Sequence, residues 1–97
     1  DVLKKMAAAG KFTCAICAAP TVLAKAGLLS GKRATSYPGC LDSMGLPDVT
    51  YTGDALTRDG NVITSRGPGT AIDFALALID ALEGKKTRDR VEKSLVR

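Results

Sequence analysis

Apolar runs too short for anything but strands alternate along this chain with segments of helical periodicity, and glycine or proline marks nearly every changeover. Residues 1–9 read as a helix closed by a left-handed Gly10. Residues 12–16 form a strand. Residues 18–26 form a helix with Pro20 in its first turn, where a missing N–H has no partner to lose, and Gly27 at its end. A strand over 33–36 then meets the Tyr37-Pro38-Gly39 turn. One helical turn over 41–45 and a strand over 49–52 follow. Residues 55–58 and 61–65 pair as a hairpin across Asp59-Gly60. Thr70 is placed as the N-cap of the next helix, with Asp73 at its third position as a capping-box variant. Phe74, Leu78, Ile79 and Leu82 recur at helical spacing, a stripe read as core in preference to a subunit contact. Gly84 ends that helix, and residues 87–96 form a last amphipathic one through Val91, Leu95 and Val96.

Strands that alternate with helices imply a parallel sheet covered on both faces. Here four helices are matched by only two convincing parallel strands and one hairpin, so the sheet is short of strands. The opening helix has no strand to return from. Upstream βα units are therefore expected to be missing or carried by another chain. With no initiator Met and no signal peptide ahead of Asp1, the sequence is expected to start at a cut or processing site, or to be partial.

Composition removes whole classes of function. The 97 residues are 45% hydrophobic, without a stretch long enough to span a bilayer, so one soluble globular domain with no membrane role is expected. Two Phe, two Tyr and no Trp leave no stacking platform for RNA. The absence of His removes every Cys-His pair, every Ser-His-Asp triad and every His-ligated metal this chain could build by itself. Three cysteines form no disulfide framework, and Cys14-x-x-Cys17 lacks the second ligand pair that zinc needs, so a reducing compartment and no metal are expected. Asp42, Asp48 and Asp54 lack calcium-loop spacing and are read as turn residues. The formal charge of +4 is a property of residues 84–97, where Lys85, Lys86, Arg88, Arg90, Lys93 and Arg97 outweigh Asp89 and Glu92. A solvated terminal helix is favoured over a phosphate-contacting face, and nucleic acid is not the expected partner.

One site stands out. Phe12-Thr-Cys-Ala-Ile-Cys17-Ala-Ala-Pro20 puts a cysteine where a buried strand passes into a helix, the layout of a nucleophile elbow, with Ala18 and Ala19 small enough to allow the tight turn. The helix start would offer free N–H groups and a positive potential, favouring thiolate and stabilising an oxyanion. The competing reading is a buried structural cysteine. Cys14, inside the strand, and Cys40, in a turn, are weaker candidates. Arg66-Gly-Pro-Gly-Thr70 joins a strand to a helix N-terminus but matches neither G-x-G-x-x-G nor the P-loop, so a rigid turn is preferred to a phosphate cradle and no cofactor is expected.

The strings Ala15-Ile-Cys-Ala-Ala-Pro-Thr-Val-Leu-Ala24, Thr35-Ser-Tyr-Pro38 and Ile63-Thr-Ser-Arg-Gly-Pro-Gly-Thr70, in this order and separation, resemble the DJ-1 branch of the ThiJ/PfpI superfamily. The likeness runs from about Lys11 to Leu95. It implies an α/β, flavodoxin-like fold, a parallel sheet sandwiched by helices, of which residues 1–97 would be the carboxyl-terminal half of a single three-layer domain. It also implies a cytoplasmic homodimer that acts without cofactor on α-oxoaldehydes such as methylglyoxal, as a glyoxalase or deglycase, and senses oxidative stress through the same cysteine. The alternative is a non-catalytic redox-switch or chaperone-like interaction protein. By this resemblance Cys17 is the nucleophile, the Ala18 amide helps hold the oxyanion, and Tyr37, Arg66, Gly67 and Pro68 line the pocket. Two departures accompany it. The family's Glu partner of the cysteine would lie in the absent half, and Tyr37 stands where many members carry His, although a phenol is a poor base near neutral pH. Ala18 replaces the His of peptidase-like and chaperone-like relatives, which disfavours Cys-His peptidase chemistry.

Overall fold

The computed structural model describes residues 2–96, in the order α1 (Val2–Ala8), β1 (Thr13–Ile16), α2 (Pro20–Lys25), β2 (Arg33–Ala34), β3 (Thr50–Tyr51), β4 (Leu56–Asp59), β5 (Val62–Ser65), α3 (Ala71–Glu83) and α4 (Lys85–Ser94), with 3-10 turns at Asp42–Met44 and Pro68–Thr70. It is a mixed α/β fold. The two glycine stops act as the sequence predicts. Lys11 N donates to Met6 O and Gly10 N to Ala7 O, both at 3.0 Å, and the pattern repeats where Leu28 N reaches Leu23 O and Gly27 N reaches Ala24 O, also at 3.0 Å. Both are Schellman closures with the glycine left-handed, at φ 75° and 77°.

The strands form two sheets. The larger has the order β1-β5-β4, with β1 parallel to β5 (Cys14 opposite Ile63) and β4 antiparallel to β5 (Arg58 opposite Ile63). The other pairs β2 with β3, parallel. Between the two sheets, side chains stand in for backbone acceptors. Arg33 N donates to Asp59 Oδ2 at 2.9 Å and Thr35 N to Thr64 Oγ1 at 2.9 Å, so β2 is fastened beside the main sheet without a backbone ladder. The hairpin loop is Gly60-Asn61, one residue beyond the predicted Asp59-Gly60, because Asp59 pairs with Val62. Positive φ falls on Gly60, at 61°, and not on Asn61, which suits a loop with glycine first.

β5 is buried along its whole length, as a strand covered on both faces must be. On one side Ala15, Leu23, Leu29, Ala34, Leu41 and Val62 form the core that seats α2. On the other, Cys14 shares an apolar hollow with Met6, Phe12, Leu78 and Leu82, which places α3 on the opposite face. That face is only partly closed. The predicted core stripe is accordingly not core. Phe74, Leu78 and Ile79 are half-buried and Leu82 is 65% exposed, whereas Leu76, off the stripe, is 4% exposed and turns to the hairpin side, where Leu56 lies. β1 has β5 on one edge and no strand on the other among the described residues. α4 starts two residues before the predicted 87, at Lys85, ends at Ser94 and packs onto α3, with Lys86, Arg90 and Lys93 exposed.

Candidate functional site

Three segments meet at the carboxyl end of β1. Cys17 follows the last strand residue, and its backbone is held from both sides: its N–H donates to Ser65 O at 3.0 Å, and its carbonyl accepts from Tyr37 N at 2.7 Å. Ser65 ends β5 and Tyr37 follows the β2 segment, so the parallel register itself brings positions 17, 37 and 65–66 together. Cys17 has φ 65°. A non-glycine residue in the left-handed region costs of order 1–2 kcal/mol, and it persists because the two flanking hydrogen bonds fix it there. This is the strained turn of an elbow.

The elbow is longer than predicted. Cys17 to Ala19 form a turn, and α2 begins at Pro20, two residues later than expected. Ala19 N donates to Ile16 O at 3.1 Å, while Thr21 N and Thr21 Oγ1 both reach Ala18 O, at 3.2 and 2.7 Å. Among the described residues the N–H of Ala18, an exposed residue, has no acceptor, which leaves one free donor on the residue after Cys17. The Cys17 thiol itself is half-buried and free, as are those of Cys14 and Cys40. Burial raises the Cys14 pKa above the ordinary thiol value, opposed by a hydrogen bond from the Ile63 backbone and by the Arg58 charge.

Beyond Cys17 lies a hollow of about 380 Å³ walled by Tyr37, Pro38, Arg66, Gly67, Gly69 and Thr70. Tyr37, Arg66 and Gly67 are residues the sequence singles out; Pro68 starts the 3-10 turn outside this wall, and Cys17 and Ala18 are not among the lining residues, the Cys17 backbone being bonded to Tyr37 and Ser65. Arg66 N donates to Ala55 O at 3.1 Å, and its Nη1 to Gly53 O at 3.0 Å. Pro38, Gly69 and Thr70 were not legible as wall residues. Thr70 in particular reads as a helix cap, yet its hydroxyl turns back: it accepts from Gly67 N at 3.1 Å and lies 2.9 Å from Gly67 O and 2.6 Å from Ser65 Oγ, which is itself 2.8 Å from Ala55 O. With one proton on each hydroxyl, either Thr70 donates to Ser65 Oγ, which donates to Ala55 O, or Ser65 donates to Thr70 Oγ1, which donates to Gly67 O. This buried hydroxyl pair ties the glycine turn to the strand that carries the elbow. Among the described residues no group of three or more Cys, Asp or Glu is placed to hold a metal, and no helix is long and apolar enough to cross a membrane.

A strained cysteine between a parallel strand and a helix, on a sheet with helices on both faces, defines an α/β protein of the elbow type. The chain belongs to the DJ-1/PfpI family, whose family model matches residues 1–81. It is 46% identical over 97 residues to Protein dj-1beta of Drosophila melanogaster, which covers 99% of this chain and 51% of that protein. The crystal structure of Drosophila DJ-1beta matches it with a TM-score of 0.91 over 99% of this chain and 52% of the other. The glutathione-independent glyoxalase DJR-1.2 of Caenorhabditis elegans is 37% identical over 95 residues, 98% of this chain and 50% of that protein. The fold is the flavodoxin-like one of the DJ-1beta structure, and the chain spans about half the length of these two curated relatives.

Proposed function

We propose that these residues are the carboxyl-terminal half of a DJ-1-type domain that converts α-oxoaldehydes to hydroxy acids with Cys17 as nucleophile and no cofactor. The observation that carries this is the left-handed Cys17 at the end of β1, held by Ser65 and Tyr37. The glyoxalase named among the relatives supports the substrate class. The Cys17 thiolate would add to the aldehyde carbon of methylglyoxal, and the Ala18 N–H would stabilise the oxyanion of the hemithioacetal. The proton on that carbon then moves to the neighbouring carbonyl carbon through an enediolate, leaving a hydroxy thioester. Water cleaves the thioester, releasing lactate and restoring the thiol, so no electron acceptor is required. Among the described residues the Cys17 sulfur has no hydrogen-bond partner, and the proton-shuttling carboxylate is assigned to the other half of the domain.

Tyr37, Arg66 and Gly67 line the pocket in this scheme, and Pro68 stiffens the turn behind it. The remaining strands would pair with the free edge of β1, the complete domain would work as a cytoplasmic homodimer, and peroxide would oxidise the same thiolate to the sulfinic acid, each of two peroxide molecules being reduced to water. The test is D-lactate formation from methylglyoxal by the complete domain and by Cys17→Ser. Turnover lost with the sulfur is the expected result. Turnover equal in both proteins overturns the nucleophile, and no turnover in either, with Cys17 still oxidised by peroxide, leaves the non-catalytic redox switch in its place.

A further inference from the structure

We infer that the hollow beside Cys17 is a subsite for the far end of the substrate, and that it selects α-oxoaldehydes whose chain terminates in a carboxylate. This deepens the function proposed above and presupposes its Cys17 chemistry. Position comes first. Two of the hollow's polar lining residues are each one step from the nucleophile's backbone: Tyr37 N–H donates to the Cys17 carbonyl, and Arg66 follows the Ser65 whose carbonyl accepts from the Cys17 N–H. A substrate attached at the sulfur would extend into it.

Charge comes second. Among the described residues Arg66 is the one side chain in the wall with a full charge, and no Asp or Glu lines the hollow. Its guanidinium spends one N–H on Gly53 O, which orients the group, and it enters no ion pair among the described residues. A guanidinium carries five donors in a planar fork that matches a carboxylate. The Tyr37 phenol likewise has no hydrogen-bond partner among the described residues, and the side chain is half exposed. Two residues with unspent donors thus line one space. Size comes third. About 380 Å³ lies within the range of small-molecule sites and exceeds what a three-carbon dicarbonyl needs, so methylglyoxal would leave the donors unused. Gly67 and Gly69 add no side chain to the floor, and the Tyr37 ring lies against Gly67, which sets the width.

The experiment compares methylglyoxal with dioxovalerate, the α-oxoaldehyde that ends in a carboxylate, on the complete domain, Arg66→Gln, Arg66→Lys and Tyr37→Phe. The expected kcat/KM ratio favours dioxovalerate, falls about 10- to 100-fold in Arg66→Gln, as loss of a charge-assisted pair predicts, is partly recovered in Arg66→Lys and falls several-fold in Tyr37→Phe. An unchanged ratio in Arg66→Gln overturns the subsite. A second arm needs no turnover: levulinate and the uncharged methyl propyl ketone are titrated into Cys17→Ser while the Gly67 and Gly69 amide resonances are followed. Levulinate shifts that vanish in Arg66→Gln support the subsite even where neither aldehyde reacts, in which case the proposed catalysis falls and the anion preference stands. Equal shifts from the charged and uncharged ketones overturn it.

Discussion

The Tyr37 ring rests against the backbone of Gly67, where a β-carbon at position 67 would stand 3.4 Å from Tyr37 Cδ2 and 3.8 Å from Cε2, ordinary van der Waals contact. Gly67 has φ 178°, extended backbone that any residue adopts, so neither conformation nor space demands glycine here. Gly67→Ala should therefore be accepted without a clash, with stability equal or higher by about 0.4–1 kcal/mol as the unfolded chain loses freedom. Urea midpoints of Gly67→Ala in the presence of Tyr37 and of Tyr37→Ala check this. A loss of stability that disappears in the Tyr37→Ala background would mean that the ring leaves no room for a β-carbon.

Cys17 reverses the usual ranking of small residues. Alanine normally outranks glycine in stability, but at φ 65° an alanine β-carbon keeps the left-handed penalty and a glycine does not. Cys17→Gly is expected to be about 1 kcal/mol more stable than Cys17→Ala, despite glycine's greater freedom in the unfolded chain. Equilibrium unfolding of the two variants decides it. Equal stabilities would mean that the strain is relaxed in solution.

The elbow was legible because its signals are local: a buried strand, a cysteine, two alanines and Pro20 in one run of sequence. The helix stops at Gly10 and Gly27 were legible for the same reason. What the sequence concealed depends on contacts between distant segments. Thr70 looks like a helix cap from its neighbours alone, and only the approach of Ser65 and Gly67 turns its hydroxyl the other way. The apolar stripe on α3 has the period of a core face, and Leu78 and Leu82 do share a hollow with Phe12 and Cys14, but periodicity cannot tell how fully that side is covered, and the buried α3 residue is Leu76, beside Leu56 of the hairpin. The division into two sheets is accompanied by Asp59 and Thr64 side chains bonding the β2 segment, contacts that no pattern of strand propensity encodes. For the hollow, Arg66 and Tyr37 were marked by resemblance, while Pro38 and Gly69 entered through the fold.

Thr70→Val tests the hydroxyl pair. The substitution keeps the shape of the side chain but leaves the buried Gly67 N–H without its acceptor and Ser65 Oγ without its second partner. An unsatisfied buried polar group costs about 1–3 kcal/mol, and that is the expected loss of stability. Thr70→Ser, which retains the oxygen, should recover most of it. If Ser and Val behave alike, the methyl group and not the hydroxyl holds the turn.

Cys14 gives stability a pH dependence whose sign follows from its surroundings. Burial against Phe12 and Leu78 raises its folded pKa above the unfolded thiol value, with the Ile63 backbone and Arg58 pulling only partly back. The fold therefore holds this proton more tightly than the unfolded chain does. The contribution is complete below the unfolded thiol pKa and is lost as the pH rises through the raised folded one, because the unfolded state releases the proton first. Cys14→Ala removes the group and should remove this loss. Between about pH 7 and about pH 10 the unfolding free energy of the unaltered protein should fall more steeply than that of Cys14→Ala. Iodoacetamide should likewise alkylate Cys14 more slowly in the folded protein than in urea at the same pH, since the thiolate is the nucleophile and the fold suppresses it. Parallel pH profiles for the two proteins, together with equal alkylation rates, would mean that the Cys14 thiol stands in water and that the hollow between α3 and β1 does not shield it.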